Sequence, residues 1–138
     1  MAVGVPDSDR PTLGQRDVFD KECPAHAILG KVTSRWGVLI LAALLDGSMR
    51  YHVLRDRIGS ISEKMLSQNL RTFTDYGLVE RTVEPTVPPQ VSYALTPIGH
   101  EAAEKLHGLL EWVSTRAEEI ETFRTGGPVP GPKLLGRS

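Results

Sequence analysis

Residues 61–73, ISEKMLSQNLRTF, carry the side chains best suited to recognition chemistry in this sequence. Ile61, Met65, Leu66, Leu70 and Phe73 recur at helical spacing, and Leu66, Leu70 and Phe73 mark a core-facing side. Lys64, Ser67, Gln68 and Arg71 fall on the other side. Arg and Lys pair with guanine acceptors, Gln with adenine, and Ser with a base edge or a phosphate. Any amphipathic helix also needs a solvated face, so the meaning of these four side chains depends on the elements around them.

Cys23 is the second candidate. It precedes Pro24, a residue favoured at the first position of a helix, so the thiol is expected at a helix cap facing the positive end of the dipole. Lys21 and His26 lie close in sequence, and Glu22 opposes them. Free cysteine is also among the most buried residue types, so a small buried hydrophobe is the alternative. As the single cysteine, it can form a disulfide only between two chains or with a small thiol.

The histidines suggest metal weakly. Cys23 and His26 form one pair, and His100, Glu104 and His107 share one helix face. A site needs three or four converging ligands, so no metal and no cofactor are expected. No nucleophile with a base, phosphate-cradling glycine loop or carboxylate pair emerges, so an enzyme is not expected either.

The elements that position these residues follow from period and punctuation. A first helix starts at Pro24 with Cys23 as cap. Its stripe of Ile28, Leu29, Val32, Trp36, Leu39, Ile40, Ala43 and Leu44 predicts a long apolar face with one break near 31–34, closed by Gly47. Trp36 is expected in the core. Tyr51, Leu54 and Ile58 mark a short helix. After the turn at 59–62, Ser62 caps the next helix, with Glu63 favourable at its positive end and Ile61 and Leu66 placed as a staple. Gly77 stops it.

The period then changes to two. Residues 78–83 and 91–96 read as strands joined by the proline-stiffened loop EPTVPPQ. Thr96 and Pro97 open a long final helix with a narrow stripe of Ala102, Leu106, Leu109, Val113, Ala117 and Ile120. Residues 1–12 and 124–138 read as flexible tails, the latter because alternating Gly and Pro propagate neither helix nor ladder. The folded domain is expected over 13–123.

This order predicts a mainly α fold with a small β-hairpin: a winged helix-turn-helix with an additional N-terminal helix and a long C-terminal dimerisation helix. The 62–76 helix is the cylinder that fits the major groove. Lys64, Ser67, Gln68 and Arg71 are then the base and phosphate readers, and Ser62 at the start of the same helix is also expected to contact DNA. Arg50, Arg55 and the wing residues Thr86, Val87 and Gln90 are placed to touch the DNA backbone. The late part of the final helix projects past a small domain, and an apolar stripe there marks a subunit interface. Leu106, Leu109, Val113, Ala117 and Ile120 are expected to meet the same helix of a second copy, together with the segment from Leu13 to Phe19. A two-fold dimer of this kind spaces its reading helices by about 34 Å, one DNA turn.

Composition bounds these readings. With 138 residues, 40% of them hydrophobic and 24% charged, the chain suits one globular domain. A net charge of −1 argues against a nonspecific nucleic-acid coat. The balance is uneven: residues 47–83 are net basic and residues 97–121 net acidic. The longest apolar run, 38–45, is far short of a membrane span. Residues 1–11 lack a basic start followed by an apolar stretch, so no secretory signal is expected and a reducing cytoplasmic compartment fits.

Taken together, Cys23, Pro24 and Trp36, LLDG at 44–47, ISEKMLSQNLR at 61–71, GLVERTV at 77–83 and VPPQVSYALTPIG at 87–99 resemble the HxlR family of bacterial winged-helix transcription regulators. The resemblance implies a homodimer on a pseudo-palindromic double-stranded operator, with its interface built from N- and C-terminal helices. It further implies a candidate sensor at Cys23, because some members respond to electrophiles, quinones or oxidants through a cysteine matching it. The sequence departs from the family pattern at Thr33-Ser34-Arg35, where Gly-Gly-Lys is frequent. Asn69 and Gln90 stand where basic residues are frequent, which lowers phosphate attraction and salt dependence. Two alternatives remain open: a ligand-responsive regulator with a non-sensing Cys23, and a winged helix used for protein contacts.

Overall fold

A computed structural model of the chain describes residues 17–132. Leu13 and the 1–12 segment lie outside the described residues. Five helices and three strands follow in the order α1 (Pro24–Val32), α2 (Arg35–Ala43), β1 (Met49–Arg50), α3 (Tyr51–Ile58), α4 (Glu63–Asp75), β2 (Val79–Glu84), β3 (Gln90–Leu95) and α5 (Pro97–Arg124). A 3-10 turn over Leu44–Asp46 extends α2. The chain divides into two compact units, residues 1–106 and 107–138.

The break between α1 and α2 falls where the pattern predicts it. Ser34 caps α2 by accepting from the Gly37 amide at 3.1 Å, and the chain turns by 73° between the two helices. The consequence differs for each half of the stripe. Val38, Ile40, Leu41, Ala43 and Leu44 are buried, whereas α1 buries nothing and leaves Ile28 and Leu29 exposed. Trp36, expected in the core, is only half-buried, with the Arg35 guanidinium 4.5 Å from its ring centroid.

The core of the first unit is closed by Leu54 of α3, Leu66, Leu70 and Phe73 of α4, Val79 of β2 and Ala103 of α5. Full burial of one such aliphatic or aromatic side chain stabilises by about 1.5–3 kcal/mol. Ile61 and Leu66 are both buried, as a staple requires.

The wing differs from a plain hairpin. β2 and β3 pair antiparallel with Val79 opposite Leu95 and Val83 opposite Val91, which keeps the alternating apolar positions on one face. Met49 and Arg50 add a third strand, with Met49 opposite Tyr93 and Arg50 opposite Ser92, so β3 is central. Two residues are too short to show a period in the sequence.

The end of α4 and the start of α5 meet at one point. Gly77 has φ +76°, and the Leu78 amide donates to the Phe73 carbonyl (2.9 Å) while that of Gly77 donates to Thr74 (3.1 Å). This is a left-handed stop that satisfies the last carbonyls of α4. Thr96 then binds the same two residues: its hydroxyl donates to the Gly77 carbonyl (2.6 Å) and its amide to that of Leu78 (3.1 Å). The Thr96 hydroxyl also accepts from the Gly99 amide (3.1 Å), capping α5. Gly99 is buried against the Leu78 backbone, with no room for a Cβ.

In the second unit, α5 continues to Arg124 and the chain doubles back through Gly126 and Gly127, whose amide donates to the Thr122 carbonyl at 2.8 Å. The Arg116 guanidinium, bonded to Glu119 at 2.7 Å, also donates to the Gly131 carbonyl.

Candidate nucleic-acid interface

α4 is built as a rigid, capped cylinder with one free side. The Ser62 hydroxyl accepts from the Met65 amide at 3.1 Å and fixes the first turn. Leu66, Leu70 and Phe73 anchor the buried side, and Lys64, Ser67, Gln68 and Arg71 are exposed. Among the described residues neither Lys64 nor Arg71 has a carboxylate within ion-pair distance. The polar neighbours are spent locally: Asn69 donates to the Met65 carbonyl (2.8 Å) and Thr72 to that of Gln68 (3.1 Å).

α3 grips the first turn of α4 through polar contacts. The Tyr51 hydroxyl lies 3.1 Å from both the Glu63 carbonyl and the Ser67 hydroxyl. A carbonyl only accepts, so the phenol proton goes to Glu63 and Ser67 donates to the phenol oxygen. The Arg55 guanidinium pairs with the Glu63 carboxylate at 2.8 Å. Sequence pattern alone marks Tyr51 as an apolar-face residue of α3 and Glu63 as a dipole partner. Their tertiary contacts have no signal in the sequence, because they depend on how α3 crosses α4.

Arg50, on β1, is joined to the wing by an ion pair with Glu84 at 3.3 Å. In the wing loop the Thr86 hydroxyl donates to the Pro88 carbonyl at 2.8 Å. Val87 at the tip is 99% exposed, and Gln90 is half-buried at the start of β3. The first unit thus contains the exposed polar face of α4, Arg50, Arg55 and the wing.

Cys23 caps α1 without a side-chain hydrogen bond and is half-buried. The His26 ring is engaged elsewhere, its Nδ1 bonded to the Val18 carbonyl at 2.8 Å. His100 pairs with Glu104 at 3.8 Å and His107 with Glu111 at 3.9 Å, and among the described residues no three potential metal ligands converge. Phe19 is 87% exposed. On α5, Leu106 is 8% exposed and belongs to the core of the first unit, so the exposed stripe begins at Leu109. Leu109, Val113, Ala117 and Ile120 are exposed in the second unit, as are Trp112 and Phe123, which the stripe as read from sequence omits. Among the described residues no single helix is long and apolar enough to cross a membrane.

Comparison with known proteins bears on this arrangement. The model of the HxlR-like helix-turn-helix matches residues 31–121. The uncharacterized HTH-type transcriptional regulator YtfH of Escherichia coli (strain K12) is 43% identical over 112 residues, covering 81% of this chain and 89% of that protein. The solved structure of ytfH from Salmonella typhimurium, named as a transcriptional regulator, is 41% identical and superposes with a TM-score of 0.76 over 80% of this chain and 98% of that one. The redox regulator HypR in its oxidized form is 30% identical, with a TM-score of 0.62 over 67% of this chain and 96% of that one. With its winged helix-turn-helix architecture and this match over most of its length, the chain belongs to the HxlR-like helix-turn-helix family of DNA-binding transcriptional regulators.

Proposed function

We propose that the protein regulates transcription as a homodimer that binds a pseudo-palindromic operator in the cytoplasm, without catalysing a reaction. The observation that carries this reading is the exposed quartet Lys64, Ser67, Gln68 and Arg71 on a helix capped at both ends and anchored by Leu66, Leu70 and Phe73. Gln68 and Arg71 read base edges, Lys64 and Ser67 read bases or phosphates, and Ser62 fixes the helix start. Arg50, Arg55, Thr86, Val87 and Gln90 follow the DNA backbone. The exposed apolar positions Phe19, Leu109, Val113, Ala117 and Ile120 support a subunit interface, which spaces the two α4 helices by about 34 Å.

Replacing Gln68 and Arg71 together with alanine tests the reading. At about 1–3 kcal/mol per bidentate base contact, specific affinity in a gel shift falls by several-fold to a thousand-fold. Unchanged binding would refute the assignment.

Cys23 is the proposed sensing residue, a reading supported by its half-exposed cap position and by the likeness to HypR, named a redox regulator. The chemistry is disulfide formation between Cys23 and a thiol of a second copy or a small molecule, with two electrons and two protons passing to the oxidant. Quinones and other electrophiles would instead alkylate the thiol. Diamide is expected to change operator binding of the wild type and leave Cys23→Ser unaffected. Equal responses would favour a ligand-responsive regulator with an inert thiol.

A further inference from the structure

Glu63 is the first residue of α4, and its side chain is 71% exposed. In a helix-turn-helix docked on DNA, the N-terminal residues of the reading helix approach base edges. A carboxylate there is repelled by phosphates, and of the two base-edge amines in the major groove the cytosine amine suits it better, because the adenine amine lies beside the N7 acceptor. In this chain the same carboxylate holds the Arg55 guanidinium at 2.8 Å, while the Glu63 carbonyl is fixed by the Tyr51 hydroxyl at 3.1 Å. Glu63 is thus pinned at its backbone, and its charge is partnered by an arginine placed for a phosphate.

We propose that Glu63 is a specificity-determining residue: its carboxylate holds Arg55 until a cytosine amine in the operator replaces the guanidinium, which then passes to a phosphate. This rests on the reading of α4 as the DNA-contacting helix. An exposed ion pair is weak, so the exchange is easy where the amine is present. Where it is absent, moving Arg55 to a phosphate leaves an uncompensated carboxylate against polyanionic DNA. The penalty therefore falls on incorrect sequences and spares the correct one, which is what discrimination requires. Lys64, with no carboxylate partner among the described residues, supplies attraction to phosphates that does not depend on this exchange.

The experiment selects duplexes from a randomised pool with the wild type, then measures affinity for the enriched duplex and a shuffled one. It is repeated with Glu63→Ala, which removes the acceptor, and Glu63→Gln, which removes only the charge. The wild type is expected to enrich a cytosine at the same position in each half-site. Glu63→Ala should lose that preference. Both variants should bind the shuffled duplex more tightly, lowering the ratio of specific to nonspecific affinity by about tenfold, the size of one base-pair substitution. Thermal unfolding confirms that each variant is folded, and either one alone suffices to read the ratio. If both enrich the wild-type sequence at the wild-type ratio, the role of Glu63 is overturned while DNA reading by α4 stands. If the wild type enriches no duplex at all, DNA reading falls and this inference with it.

Discussion

Replacing Gly99 with alanine inserts a methyl group deep inside van der Waals contact of the Leu78 carbonyl oxygen, with the Leu78 carbonyl carbon 2.8 Å and its Cα 3.2 Å away. The obstacle is backbone, so no side chain can rotate to relieve it. Relief requires α5 to withdraw from the start of β2. That stretches the Thr96 amide bond to the Leu78 carbonyl and the Thr96 hydroxyl bond to Gly77. Alanine in a helix gains about 0.5–1 kcal/mol over glycine. Overpacking costs about 1–3 kcal/mol, and each weakened hydrogen bond about 1 kcal/mol. The balance is a loss of about 2–4 kcal/mol, which at about 4 °C per kcal/mol lowers the melting temperature by roughly 8–16 °C. The control is Gly108→Ala, where a Cβ meets nothing within 4 Å on an exposed helix surface. That change is expected to stabilise by about 0.5–1 kcal/mol. Both are measured by thermal and urea unfolding at one protein concentration. A Gly99→Ala variant as stable as the wild type would refute the close approach of Gly99 to Leu78.

Three further outcomes are expected. Glu84→Gln releases Arg50 from its ion pair, so DNA binding should tighten at low salt and the slope of log affinity against log salt should steepen by up to about 1. Tyr51→Phe removes the hydroxyl that joins Glu63 and Ser67, which should reduce unfolding free energy by about 0.5–1.5 kcal/mol and weaken operator binding in a gel shift. Changing Leu109 and Val113 together to glutamate should yield monomers by sedimentation, and an intact dimer would refute the proposed interface.

The features legible in the sequence are those that local physics specifies. Ser62, Gly77, Pro24 and Pro97 fix helix ends through contacts within a few residues, and the structure places those ends accordingly. The 79–84 and 90–95 strands declare themselves by alternation. What was hidden depends on distant segments. Met49 and Arg50 are a strand only because Tyr93 and Ser92 lie beside them. Residue type places Trp36 in the core, but in the first turn of α2 it is only half-buried, with the Arg35 guanidinium over its ring. Glu63 and Tyr51 gain their roles from the crossing of α3 on α4. Lys64, Ser67, Gln68 and Arg71 were readable as an exposed face because helical periodicity alone separates them from Leu66, Leu70 and Phe73.

The junction at Gly77 and Leu78 has a mechanical corollary. Both residues are claimed twice, by the terminating bonds of α4 and by Thr96 at the root of α5. Connections between secondary elements ordinarily contain slack that absorbs displacement. Here the end of α4 and the root of α5 are riveted to one dipeptide, so a displacement of that root reaches the last turn of α4 with no intervening slack to take it up.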